Sequence, residues 1–164
     1  MVSAESVGDL ETSRLTLRRW QEADLEHLAR VLADPAVMGA LRKSPFPSRK
    51  SRETFDYILQ HWERHGYGPW ATFEKASGRY GGHIGLEYME DWPFEHKTEV
   101  GYVVASDLWN RGFATEAAQA SLQYGFDVAG LSRIISIIFA DHRASRRVME
   151  KCGMGVSRRD LLVG

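Results

Sequence analysis

The chain has 164 residues, 43% hydrophobic and 26% charged, which suits one soluble globular domain with a continuous core. A formal net charge of −1 supplies no global field for nucleic acid or an anionic membrane, and no segment approaches membrane-spanning length. The single cysteine, Cys152, excludes an intramolecular disulfide, and the first residues show no basic region followed by an apolar stretch; together these predict a cytoplasmic protein.

Residues 1–10 are polar and read as a flexible segment ahead of a single domain over 11–164. Leu15 and Leu17 alternate with Thr16 and Arg18, the pattern of a half-buried strand. Leu25, Leu28, Ala29 and Leu32 recur at helical spacing, with Asp34-Pro35 as the expected stop because proline disfavours helix at the preceding residue. A second amphipathic helix follows Pro45-Phe46-Pro47-Ser48, placing Phe55, Ile58, Leu59 and Trp62 on one face and Gly66 near its end. Strands are expected over 70–73 and 83–88, around the turn Ala76-Ser77-Gly78, and over 99–104. Between them, residues 89–95 mix acidic and aromatic side chains, an ordinary loop or one suited to capturing a cationic amine.

A helix then runs from Thr115, with Ala114, Ala118, Leu122, Phe126 and Ala129 on one face and Gly130 at its end. Residues 134–140 are apolar on both faces, as expected of a buried central strand, and the preceding helix is their crossover. Strand, helix and strand form a right-handed parallel βαβ unit, so the fold class is α/β with a mixed (α+β) sheet. A short helix from about Ala144 to Cys152 follows, with Ala144, Val148 and Cys152 one turn apart and Gly153 as its stop.

The turn Trp109-Asn110-Arg111-Gly112-Phe113-Ala114-Thr115 joins a strand to a helix whose first N–H groups lack intrahelical partners. Such a terminus attracts anions, and Gly112 removes the side chain where a pyrophosphate would approach. The run has neither the P-loop pattern nor the dinucleotide-fold glycine pattern.

With Glu116 and Ala117, this run resembles the (Q/R)-x-x-G-x-(G/A) acetyl-CoA loop of the GCN5-related N-acetyltransferases (GNAT). The resemblance is to the W-G-(R/K)-G-(Y/F)-A-T-E-A form of the subgroup that acetylates ribosomal-protein N-termini, the ribosomal-protein-alanine N-acetyltransferases. Asn110 stands where that subgroup commonly has glycine. The likeness extends from Glu11-Thr12-Ser13-Arg14-Leu15-Thr16-Leu17-Arg18 through Asp34-Pro35, Gly68-Pro69-Trp70 and Glu99-Val100-Gly101-Tyr102 to the segment Arg147-Val148-Met149-Glu150-Lys151-Cys152-Gly153-Met154. It implies an acyl-CoA N-acyltransferase fold in which two parallel central strands diverge and pantetheine enters the gap. The family normally adds two further strands, whereas 155–164 has room for one at most, so a missing last strand and an open sheet edge are expected, and with them a homodimer in preference to an unstable, weakly active truncated form.

Acetyl transfer needs a neutral amine, an oxyanion donor and stabilisation of the departing thiolate. The resemblance makes Glu99 the leading base, acting through water, with His83 and Glu87 in reserve; otherwise Glu99 is an exposed strand-end carboxylate. It also implies a backbone N–H at Val103 or Val104 as the oxyanion donor. Many relatives use a tyrosine to protonate the thiolate, but the corresponding residue here is Met149. Ser145 matches the serine of the subgroup's N-x-x-S element and either meets the cofactor sulfur or caps the short helix. His142 replaces the asparagine of that element and either substitutes as a donor, with a catalytic role, or faces solvent.

Trp109, Asn110, Arg111, Gly112, Phe113, Ala114 and Thr115 are the expected cofactor loop, joined by His142, Ser145 and Arg146. Arg143, Arg146, Arg147 and Lys151 form a basic cluster suited to the adenosine 3′-phosphate or simply to solvent. Cys152 reads as core, and no residue spacing suggests a metal site. The expected function is acetyl-CoA-dependent transfer to a primary amine, preferably a protein N-terminus. A small-molecule or antibiotic acetyltransferase and a noncatalytic acyl-CoA-binding module are the alternatives, with no nucleic-acid or membrane partner.

Overall fold

A computed structural model describes residues 8–157. Five strands form one antiparallel sheet in chain order: β1 (Leu10–Glu11), β2 (Leu15–Arg18), β3 (Pro69–Glu74), β4 (Tyr80–Tyr88) and β5 (Thr98–Val104). Three helices, α1 (Asp24–Leu32), α2 (Pro35–Ala40) and α3 (Ser48–His65), lie between β2 and β3, while α4 (Phe113–Asp127) and α5 (Arg143–Lys151) follow β5. Leu10 pairs with Leu17, so the sheet begins inside the segment expected to be flexible.

Asp34-Pro35 ends one helix and starts another. The Asp34 side chain accepts from Ala36 N–H at 2.8 Å and Pro35 fills the first turn of α2, where a missing N–H costs nothing.

The core is rich in aromatics. Trp62 and Trp70 lie edge to face at 4.4 Å, and the indole N–H groups of Trp20 and Trp62 both donate to the Pro69 carbonyl at 2.8 Å. Phe55 and Trp62 of α3 are therefore structural, and Gly66 ends the helix with a left-handed φ of 71°.

Helix α4 departs from the expected face. It starts at Phe113, and its buried residues are Phe113, Ala117, Ala118, Ser121, Leu122, Tyr124 and Gly125, whereas Phe126 is 46% exposed. The small residues are the reason: a Cβ on Gly125 would lie 2.7 Å from both Leu86 Cδ1 and Ile134 Cδ1, so the helix closes on the sheet along its least bulky stripe.

The expected strand over 134–140 is reduced to one parallel bridge, Glu99 to Ile135, in which Val100 N–H donates to Ile135 O at 2.8 Å and Ile135 N–H to Thr98 O at 2.9 Å. Beyond it the segment leaves β5, so Ile137 and Phe139 are 39% and 46% exposed. The parallel relation of the βαβ unit holds, but its second strand does not continue the ladder. Residues 155–157 carry no strand, and the rest of the expected final strand lies outside the described residues.

Candidate acetyl-CoA cleft

The departure of 136–140 from β5 opens a cleft of about 590 Å³. One wall is β5 and the loop after it, with Tyr102, Val103, Val104, Trp109, Asn110, Gly112, Phe113, Ala114 and Thr115; the other is α5, with His142, Ser145, Arg147, Val148 and Lys151. Residues Val37, Ala40 and Leu41 of α2 and its end close one side.

The loop conformation explains its residues. Gly112 has φ 78° and is the N-cap of α4, with no side chain capping the helix. A Cβ there would meet only Arg14 Nη2, at 3.2 Å. Asn110 is also left-handed, at φ 59°, a conformation that asparagine tolerates better than most residues, which accounts for its standing in place of glycine. The uncapped first turn leaves main-chain N–H groups for an anion's oxygens, so the loop fits a pyrophosphate.

Glu116, in the first turn of α4, and Arg111, in the loop before it, hold the turn in place. Glu116 accepts from Thr12 Oγ1 at 2.6 Å, Arg14 N at 2.8 Å and Arg14 Nε at 2.8 Å, while Arg14 Nη1 donates to Arg111 O at 2.7 Å. This ties the β1–β2 turn to the loop. Arg111 donates to Glu74 at 2.5 Å and lies over the Phe113 ring, so its guanidinium braces the loop from behind and is not part of the cleft wall. Of the basic cluster, Arg147 and Lys151 line the cleft, whereas Arg143 and Arg146 do not. Trp109 Nε1 donates to Val104 O at 2.9 Å, locking the loop onto the end of β5.

Main-chain direction sorts the oxyanion candidates. Val100 N–H points to Ile135, and alternation along the strand turns the Tyr102 and Val104 N–H groups the same way, into the gap. Val103 instead pairs with His83 across β4. Val104 rather than Val103 therefore offers its amide to the cleft.

Glu99 lies two residues before Gly101 on the same face of β5, its Oε1 3.8 Å from where a Gly101 Cβ would stand. Burial, with Glu87 second, pushes its carboxyl up to about 7; an Ile137 backbone hydrogen bond and Lys43 act in the opposite direction. Glu87 is its register partner on β4 and accepts from Tyr57 Oη at 2.8 Å. His83, opposite Val103, has a buried Nδ1 with no partner among the described residues, and burial pulls the ring down to about 4, so it is neutral.

His142 is the cap of α5: its Nδ1 accepts from Ser145 N–H at 3.1 Å. The Ser145 hydroxyl is thereby excused from capping, and its Oγ accepts from Tyr102 Oη at 2.7 Å. Sequence reasoning missed Tyr102; strand alternation places it on the face turned toward α5, but the approach of α5 is a tertiary fact. Met149 is buried, and Cys152 is half-buried with Sγ 3.9 Å from Thr115 O. Among the described residues, no group of His, Cys, Asp and Glu is arranged to hold a metal ion, and no helix is long and apolar enough to cross a membrane.

Residues 14–155 match the family described as Acetyltransferase (GNAT) domain. The chain is 32% identical over 152 residues to protein YkkB of Bacillus subtilis (strain 168), covering 91% of this chain and 86% of that one. It is 29% identical over 148 residues to the N-acetyltransferase YoaA of the same organism, covering 88% and 81%. An acetyltransferase structure from Agrobacterium tumefaciens str. C58 superposes with a TM-score of 0.78 at 28% identity, over 90% of this chain and 84% of that one. The chain thus belongs to the GNAT acetyltransferase family, whose reaction is acetyl-CoA-dependent N-acetylation.

Proposed function

We propose that the cleft between β5 and α5 binds acetyl-CoA and presents its thioester to a primary amine, preferably a protein N-terminal α-amino group. The observation that carries this reading is the gap beyond the Glu99–Ile135 bridge, which lies beside the uncapped N-terminus of α4. In it the amides of the 112–115 turn bind pyrophosphate, with Arg147 and Lys151 available to the 3′-phosphate.

Glu99 draws the proton from the incoming ammonium through water, leaving a neutral amine to attack the carbonyl carbon. Val104 N–H stabilises the oxyanion, the C–S bond breaks, and Ser145 meets the departing sulfur.

The acceptor preference rests on the loop resemblance to the ribosomal-protein subgroup. Likeness at low identity supports the fold alone: a RimL ribosomal L7/L12 α-N-protein acetyltransferase in complex with CoA has a TM-score of 0.73 at 17% identity. A small polyamine acceptor has its own observation, the acidic and aromatic wall of Tyr57, Glu87, Glu90, Asp91 and Trp92 around a second cleft of about 450 Å³. Mass spectrometry of a peptide and small-amine panel with acetyl-CoA tests the proposal. Acetylated N-terminal peptides are expected; acetylated polyamines alone would transfer the assignment to small molecules, and binding without turnover on any amine would make the chain a noncatalytic module.

We extend the proposal to a homodimer paired through the side of 136–140 that no described strand covers, where Ile137 and Phe139 are exposed. Sedimentation across concentration is the test, and a monomer throughout would exclude it.

A further inference from the structure

The leaving group poses a problem that the cleft answers with a pair of residues. Met149, where relatives carry a tyrosine, has only a thioether and donates nothing. A phenol instead arrives from the opposite wall: Tyr102, on β5, donates to Ser145 Oγ at 2.7 Å, and both residues line the cleft.

A serine hydroxyl has one proton and two lone pairs. In the first turn of a helix, that oxygen commonly serves a main-chain group. Here His142 has taken the capping duty, accepting the Ser145 N–H at 3.1 Å, so the hydroxyl owes nothing to the helix. One Oγ lone pair is filled by Tyr102, which excludes the serine proton from that direction. The proton meets no acceptor among the described residues.

We propose that Tyr102 is a positioning residue for the leaving group: by donating to Ser145 Oγ, it aims the serine's only proton into the cleft, at the sulfur of the departing thiolate. The inference rests on the acetyl-transfer reading of the cleft. As the amine nitrogen bonds to the carbonyl carbon, the C–S bond breaks and its electron pair stays on sulfur. The Ser145 hydroxyl holds that anion by a hydrogen bond, and the thiolate then takes a proton from water. Burial raises the Tyr102 phenol above the ordinary tyrosine range, so it stays a donor throughout the pH range in which amines are acetylated.

Tyr102→Phe keeps the ring and deletes only the donor. We expect kcat to fall roughly tenfold, the size of one hydrogen bond that strengthens as charge develops, while KM for acetyl-CoA is unchanged. The distinguishing measurement repeats this substitution in two backgrounds. In Ser145→Thr, which keeps a hydroxyl, the loss persists; in Ser145→Ala, which has none to aim, Tyr102→Phe costs nothing further. Equal losses in the alanine and threonine backgrounds, or a loss confined to KM, would reduce Tyr102 to packing and overturn the inference. Absence of acceptor-dependent CoA release by the unaltered protein would instead overturn the acetyl-transfer reading itself.

Discussion

Glu87 and Glu99 stand directly opposite each other on β4 and β5, two carboxylates on one face of the sheet, with Tyr57 donating to Glu87 at 2.8 Å. Burial, and after it the facing Glu87 charge, disfavour the ionisation of Glu99.

The pH profile of the reaction follows from this pair. Glu99 acts as a base only when ionised, so kcat/KM is expected to rise with pH through about 7. Glu87→Gln removes the opposing charge and moves that limb to lower pH; Lys43 and the Ile137 N–H, which already favour the ionised form, remain. Glu99→Gln abolishes the limb and lowers kcat by roughly 10²-fold, the lower end for a general base. The stability sign runs the other way: because folding raises this pKa, the group's contribution is complete below 4.5 and lost as pH rises through about 7. An unchanged rate and profile in Glu99→Gln would remove the residue from the reaction.

Gly112→Val tests the phosphate turn. The substitution imposes a branched side chain at φ 78° and drives its Cβ toward Arg14 Nη2. Calorimetry with CoA should show at least a tenfold loss of affinity, about 1.4 kcal/mol, in a variant whose circular dichroism confirms folding. Retained affinity would exclude this turn as the pyrophosphate site.

His61 predicts an acid-sensitive fold. Its Nε2 accepts from Tyr88 N–H at 2.8 Å and its Nδ1 lies 2.9 Å from Tyr67 O, an arrangement that holds the ring in one neutral tautomer. Burial, followed by His65, pulls it down to about 4. The unfolded chain therefore binds the proton more readily, and stability from His61 is full above 6.5 and lost as pH falls toward 4. Buried His83 acts in the same window. Thermal melts should show His61→Gln less stable at neutral pH but flatter between these limits; an equal slope in both proteins would refute the assignment.

Gly85→Ala tests the packing of β3 on β4. An added Cβ would lie 2.4 Å from the Gly68 carbonyl oxygen and 2.8 Å from Pro69 Cα, both main-chain atoms that cannot swing aside. Urea unfolding should reveal a loss of about 1–3 kcal/mol, the usual range for an overpacked site. Unaltered stability would mean that the strand ends separate more easily than their contacts indicate.

The sequence by itself determined the α/β class, the strands around Leu15, Trp70, Ile84 and Tyr102, and the glycine turn that opens α4 at Gly112. These follow from local rules: alternation, helical spacing and left-handed backbone need only neighbouring residues. It marked Asp34-Pro35 as a helix stop, although the same residues also start α2, because a proline and a capping carboxylate serve both purposes. Tertiary structure decided the rest. The apolar run 134–140 has the composition of a full strand, yet its ladder is one bridge long, since pairing depends on where β5 lies and not on the run itself. The face of α4 followed the closeness that Ala117, Ala118 and Gly125 permit, not the bulk of Phe126. The meeting of Tyr102 with Ser145 joins residues 43 apart, and of Arg14 with Glu116 residues 102 apart. Contacts of that kind leave no periodicity in a chain, because they exist only once the helices have settled on the sheet.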